Sequence, residues 1–324
     1  MSPKRSSQKR CMRIGVESQP QVMLTRMPKS LAIVGAGRVG RALGRRLREL
    51  GWRIGVVAAK TDASARKAVR FIGAGQPQAG VTRQIFGSST ILVCVPDDMI
   101  ASVGDELARM GGEELCGKAV LHTSGALDAS VLQSVRVCGA AAASMHPMQT
   151  FSGVGVPPLE GKVFAIEGDE IAVRIARKIA RELGGIPVSI AAAMKPLYHA
   201  AGAFAAGHLL ALEEAGVQML MTAGMKRREA TRALLSLSRQ VMDHYEKLGP
   251  HKAWTGPLAR GDYGVVAGHE EALQQLAPEF LEAYQAVSRL AAHVLAHDPA
   301  AMLKELQKIS IATQNLSKTK GGQD

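Results

Sequence analysis

Lys195 and His199 stand four residues apart in the run Lys195-Pro196-Leu197-Tyr198-His199, a spacing that puts both side chains on one face of a helix. Pro196 is at home in a first helical turn. The positive end of a helix disfavours a protonated lysine and draws its pKa towards a useful range. Hydride delivery to a carbonyl carbon leaves an oxyanion that needs a donor and a proton, and a lysine with an imidazole one turn on supplies both. A structural lysine at a domain junction is the plainer reading. An otherwise apolar helix holds two such groups only at a cost, which favours function. Ser124, in Leu121–Ala126, and His146, in Met145–Phe151, sit at the ends of two apolar runs and join the catalytic candidates. His122 reads as structural, a strand-end histidine that satisfies backbone. Arg260, in Thr255–Asp262, has the fork geometry to clamp a substrate carboxylate, and Asp262 has the simpler role of capping the next helix.

These groups need something to deliver electrons. Gly35-Ala36-Gly37-Arg38-Val39-Gly40 follows a short apolar run and opens an amphipathic pattern. Glycine is common, so the motif alone is weak; the strand before it and the helix after it make it a dinucleotide-binding turn. Gly35 serves the tight turn, Gly37 the approach of a pyrophosphate, Gly40 the packing of helix on strand. The helix N-terminus then faces the phosphates. Where an NAD site carries a carboxylate at the end of the second strand, this chain has Ala58-Ala59-Lys60-Thr61. Lys60 and Thr61, with Arg38, suit the 2′-phosphate of NADP(H) instead. Asp62 reads as a helix cap. Val95 and Pro96 leave a fourth apolar strand at the cofactor's edge, with Asp97 and Asp98 read as helix-capping acids.

The elements that must position these groups are legible as an alternation. Strands are expected at Ser30–Val34, Arg53–Ala58, Thr90–Val95, Lys118–Thr123, Ala140–His146 and Val163–Ile166, with helices between them from Arg38 and Asp62. This is an α/β fold: a Rossmann doubly wound, mostly parallel sheet, followed by an all-α helical domain. After Met194 helical periodicity runs through 194–222, 226–247, 264–276, 279–296 and 300–312, broken at Gly249-Pro250, Gly256-Pro257, Pro278 and Pro299. The organisation expected is a basic disordered tail over 1–29, an NADP-binding domain over 30–190, a helical substrate and dimerisation domain over 191–316 and a disordered tail over 317–324.

Composition agrees. Of 324 residues, 47% are hydrophobic and only 4% aromatic, which suits packed helices and a parallel sheet rather than a stacking platform for nucleic acid. The four cysteines contain no Cys-x-x-Cys pair, so no metal is expected and a cytoplasmic setting fits. The formal charge is +12; residues 1–29 hold seven Lys/Arg against Glu17 alone, which accounts for half of it. The modest remainder favours a small anionic substrate. Pro196–Leu212 is apolar but interrupted and short of the roughly 20 residues of a membrane span. The partners expected are a small anionic substrate and a second copy in a homodimer, with neither nucleic acid nor membrane.

Over about residues 30–312 the chain resembles the Rossmann-like oxidoreductases whose C-terminal half is domain of unknown function 2520. The likeness is carried by Leu121–Ala126, His146–Phe151, Lys195–Gly202 and Thr255–Asp262, specific together rather than singly. More widely it is similar to reductases with a helical domain like that of 6-phosphogluconate dehydrogenase. Hydroxyacid dehydrogenases and ketopantoate reductases of that group use a Lys-x-x-x-Asn pair, to which Lys195-x-x-x-His199 looks like the counterpart. Ser124 and His146-Pro147-Met148 look like the serine and His-Pro-Met segment of prephenate dehydrogenases. The resemblance implies NADPH-dependent reduction of a small oxo acid, 2-dehydropantoate-like first. The alternatives are a prephenate- or arogenate-type dehydrogenase and a non-catalytic NADP-binding regulator. Relatives often carry Ser-Asn where this chain has Ala206-Gly207, a departure that bears on the substrate.

Overall fold

The computed structural model describes residues 29–320, and the chain divides into two units, Met1–Ala205 and Ala206–Asp324. In the first, eight strands form one sheet in the order β3-β2-β1-β4-β5-β6-β7-β8. They are β1 (Ser30–Val34), β2 (Arg53–Ala59), β3 (Gln76–Ala79), β4 (Thr90–Val93), β5 (Ala119–His122), β6 (Ala141–Pro147), β7 (Val163–Gly168) and β8 (Ile186–Ser189). The first six follow the doubly wound order 3-2-1-4-5-6 and pair in parallel.

β1, β4 and β5 are buried along their whole length, because helices cover both faces of the sheet. Leu31 and Ile33 enter one apolar cluster with Leu43, Leu47 and Ile72. Ala32 and Val34 point the other way, into a cluster with Ile100, Val103 and Leu107. The covering helices are α1 (Arg38–Glu49), α2 (Asp62–Ile72), α3 (Asp97–Gly111) and α4 (Glu170–Glu182).

β7 breaks the pattern by running antiparallel to β6, with Pro147 opposite Phe164. A parallel neighbour needs a long crossover, usually a helix. The connection 148–162 carries none, so the chain turns back at the edge where β6 ends. α4 supplies the crossover that lets β8 lie parallel to β7.

Lys29, the last residue of the expected tail, is tied down: its carbonyl accepts from the Arg53 N–H (2.8 Å) and its ammonium pairs with Glu182 (3.0 Å). The rest of that tail lies outside the described residues, as do residues 321–324. α5 (Lys195–Ala203) falls in the first unit, and its buried lysine is bonded to Ser144 of β6. A π-turn, Phe204–His208, interrupts what the periodicity reads as one helix over 194–222.

The second unit is helical: α6 (Leu209–Thr222), α7 (Arg227–Leu248), α8 (Tyr263–Leu273), α9 (Pro278–Leu295) and α10 (Pro299–Lys320). Proline opens α9 and α10, where its missing N–H costs nothing. α10 continues past residue 312, where the helical periodicity ends. Val266, Ala292, Met302 and Leu306 form the core. Among the described residues no helix is long and apolar enough to cross a membrane.

Candidate active site

The glycine-rich turn joins β1 to α1, and each glycine has its own reason. Gly35 has φ +105°, and an added Cβ would meet the Cys94 carbonyl oxygen at 2.4 Å. A Cβ on Gly40 would strike the Gly35 carbonyl at 2.3 Å, so the first turn of α1 packs directly on the loop. Gly37 is different: only the Cys94 oxygen lies near, at 3.9 Å. Its open side faces out at the N-cap of α1, where backbone N–H groups remain free for an anion. Together with Ala36 the turn fits a pyrophosphate on this geometry.

At the end of β2, Lys60 is exposed. Thr61, rather than Asp62, is the N-cap of α2, its Oγ1 accepting from the Ser64 N–H at 3.2 Å. Asp62 lies one residue inside the helix and pairs with Arg66 at 2.6 Å. No carboxylate therefore stands at the strand end itself. Arg38 is exposed at the start of α1, with its side chain beside Gly153 of the loop 148–162.

A cleft of about 460 Å³ opens beside this turn, lined by Gly37, Arg38, Val39, Val95, Pro96 and Asp97, and across from them by Thr123, Ser124 and Phe151. It lies at the carboxyl ends of β4 and β5, where ligands bind in sheets of this order. Cys94 also lines it, but burial pushes its thiol up to about 12, so it is no thiolate nucleophile.

The expected cap role of Asp97 gives way to another. Pro96 holds the N-cap position of α3, and no side chain caps that helix. Asp97 instead accepts a hydrogen bond from Ser124 Oγ at 2.8 Å. Ser124 Oγ also accepts from the N–H groups of Ala126 (3.1 Å) and Leu127 (2.9 Å). Its one proton and both lone pairs are thus engaged within the protein; Ser124 shapes the turn after β5. His122, fully buried, accepts the Ser124 N–H at Nδ1 (3.3 Å) and meets the Asp128 carbonyl through Nε2 (3.2 Å). It is the structural histidine the sequence reading takes it for.

Behind the turn sits Lys195, 2% exposed. Its Nζ donates to the Ser124 carbonyl (2.9 Å) and to Ser144 Oγ, and Ser144 Oγ lies 3.1 Å from the same carbonyl, to which it donates. Two of the three ammonium protons are accounted for. Burial pushes the Lys195 pKa down, against the opposing pull of Glu167, Asp128 and Asp97. Ser144, hidden in the run Ala141-Ala142-Ala143 of a buried strand, carries no local signal of this role.

His146 leaves β6 with Nδ1 2.9 Å from the Tyr198 hydroxyl. Burial, then Lys195 and His199, lower its pKa to about 4, and burial lifts that of Tyr198 to about 12. The imidazole is neutral and the phenol keeps its proton, so the bond between them joins two uncharged groups. His199 packs edge-on to His146, ring centres 6.2 Å apart. Both rings crowd Gly125: an added Cβ would lie 2.8 Å from His199 Cδ2 and 2.9 Å from His146 Nε2. The four-residue spacing does bring Lys195 and His199 to one place, the Ser124-Gly125 turn, the lysine buried and the histidine exposed. Arg260 stands in the second unit, exposed and paired with Asp262 at 2.8 Å. Asp262 makes no side-chain cap to α8, because its carboxylate is taken by that arginine.

Residues 16–147 match the Rossmann-like domain, and residues 162–291 match the domain of unknown function DUF2520. The chain joins a Rossmann-like domain to a DUF2520 domain. No curated protein matches it by sequence. Among solved structures, a protein from Thermotoga maritima is 25% identical, with a TM-score of 0.62 over 82% of this chain and 97% of that one. A candidate NADP oxidoreductase from Bacteroides fragilis is 21% identical, with a TM-score of 0.67 over 81% and 97%. A reductive aminase from Aspergillus terreus, in complex with NADPH and ethyl-5-oxohexanoate, is 19% identical, with a TM-score of 0.63 over 82% and 94%. The chain is thus distantly similar to NADP(H)-dependent oxidoreductases, and at these identities the last two speak to fold. The cluster draws on both matched regions: the Rossmann-like domain supplies Asp97, Ser124, Ser144 and His146, and DUF2520 supplies Glu167, Lys195, Tyr198 and His199.

Proposed function

We propose that this protein is an NADP(H)-dependent reductase of a small oxo acid, with 2-dehydropantoate-like acids first among the substrates to try. The observation that carries the reading is the buried Lys195, held by Ser144 Oγ and by the carbonyl of Ser124, a residue that lines the cleft beside the glycine-rich turn. A buried ammonium with a lowered pKa at such a place is poised to stabilise and protonate a developing alkoxide.

The cofactor would be held at its pyrophosphate by the Gly35–Gly40 backbone, and at its 2′-phosphate by Lys60, with Arg38 and Thr61 beside it. Val95 and Pro96 would wall the nicotinamide. When bound, NADPH supplies the hydride. Lys195 turns its remaining N–H to the substrate oxygen and gives up the proton as negative charge develops there. His199, exposed on the same turn, is a second donor. His146, neutral and oriented by Tyr198, would help to place the substrate. Ser124 acts through the turn it closes. Arg260 is assigned to a substrate carboxylate, a role in which it must exchange Asp262 for the ligand.

Lys195→Met tests this reading. It keeps the length of the side chain and removes the charge. Turnover should fall by about 10²–10⁴ while NADPH affinity stays nearly unchanged, since the phosphates are held elsewhere. The assay is loss of NADPH absorbance over a panel of 2-oxo and 3-oxo acids, with prephenate and a cyclic imine included. A folded Lys195→Met protein with near-normal turnover ends the catalytic assignment. NADPH binding without consumption on any substrate points to a sensor instead.

A further inference from the structure

The second unit contains a polar cavity that the reductase reading does not use. It lies among α8, α9 and α10, which pack on one another, and encloses about 330 Å³. Glu270 lines it from α8. Gln285, Ser288 and Arg289 line it from α9, at spacings that share one helix face. Leu303, Leu306, Gln307 and Ser310 do the same from α10.

Glu270 is 1% exposed, yet its carboxylate receives a single hydrogen bond, from Gln285 Nε2 at 2.7 Å. No lysine, arginine or histidine pairs with it among the described residues. Taking a carboxylate out of water with one neutral donor is costly unless further donors arrive. Ser288 is 7% exposed and lines the same space, its hydroxyl making no hydrogen bond to the described residues and so open to a ligand. Arg289, also lining the cavity, is exposed and forms no ion pair among the described residues. One wall thus lacks a cation and another lacks an anion, with leucine side chains between.

We propose that this cavity binds a small zwitterionic amino acid, its ammonium on Glu270 and Ser288 and its carboxylate on Arg289. The volume is at the small end of ligand pockets, and a bidentate guanidinium is the usual partner of a carboxylate. Occupancy would tie α8, α9 and α10 together and so stabilise the unit.

The test is calorimetric titration and thermal unfolding of the full chain with glycine, β-alanine and γ-aminobutyrate, against putrescine (no carboxylate) and succinate (no ammonium). At least one amino acid should bind saturably and raise the melting temperature, with both comparators at least roughly tenfold weaker. Glu270→Gln should abolish binding, and Ser288→Ala should weaken it by roughly tenfold. The proposal is overturned if none of the three amino acids binds, if putrescine or succinate binds as well as they do, or if Glu270→Gln binds normally. Should Glu270→Gln fail to fold, unchanged affinity in Ser288→Ala overturns it. NADPH consumption is not the readout, so failure here leaves the reductase reading standing.

Discussion

The Tyr198 hydroxyl and His146 Nδ1 lie 2.9 Å apart, joining the helix that carries Lys195 to the strand that carries His146. The phenol keeps its proton and the imidazole is neutral, and the bond orients the His146 ring against the helix. Tyr198→Phe keeps the ring and removes the bond that orients the imidazole. Turnover should fall by roughly tenfold, with NADPH affinity and melting temperature little changed. Steady-state kinetics beside a fluorescence titration decide it, and full turnover in the folded variant removes the pair from the reaction.

Cofactor choice rests on Lys60. With no carboxylate at the end of β2, NADPH should bind at least roughly tenfold more tightly than NADH, about 1.4 kcal/mol. Lys60→Ala should narrow the gap by weakening NADPH alone, because NADH lacks the phosphate that the lysine meets. Equal affinities in the unaltered protein would refute the assignment.

Acid should destabilise the fold through His122. Burial, reinforced by Lys195, lowers its pKa from 6.5 to about 4. Below the unfolded value the denatured chain takes a proton that the folded chain refuses, so stability rises with pH through this window. The contribution is fully present above pH 6.5 and is lost as pH falls to about 4. For the fully buried His122 it is on the order of 3 kcal/mol, and His146 acts in the same direction. Urea unfolding at several pH values should show this slope, and His122→Asn should flatten it. A stability that is level across the window would contradict the argument.

Assembly is the remaining expectation. α6 and α7 each bury a single residue, Val217 and Ala230, while Leu210, Leu237, Met242 and Tyr245 stand exposed. Helices gain most of their stability from packing an apolar face, and a second copy would provide one. We expect a homodimer with an interface of about 1,200–2,000 Å², weakened by Leu237→Glu. Light scattering that finds only monomer at micromolar concentration would exclude it.

Much of the first unit can be read from local sequence. A strand covered on both faces is a continuous apolar run, as β1, β4 and β5 are, and a glycine turn between such a strand and an amphipathic helix has few other uses. β3 escapes notice because Gln76–Ala79 is a short edge strand, polar and broken by Pro77, that owes its extended form to pairing with β2. β8 is similarly short and exposed. The direction of β7 depends on what its connection lacks, not on its own residues. In the site, Lys195 and His199 announce themselves by charge in an apolar setting. Ser144 and Tyr198 do not, because their roles depend on partners 51 and 52 residues away that only the folded sheet brings close.

The reversed seventh strand has a consequence for how this scaffold can diversify. By turning back at the edge where β6 ends, the chain leads the loop 148–162 past the cleft, with Phe151 in its lining and Gly153 against Arg38. Loops tolerate insertion far better than paired strands do. Lineages can therefore lengthen, shorten or rewrite this segment, and so remodel the mouth of the cleft, while strand register and the buried lysine stay as they are.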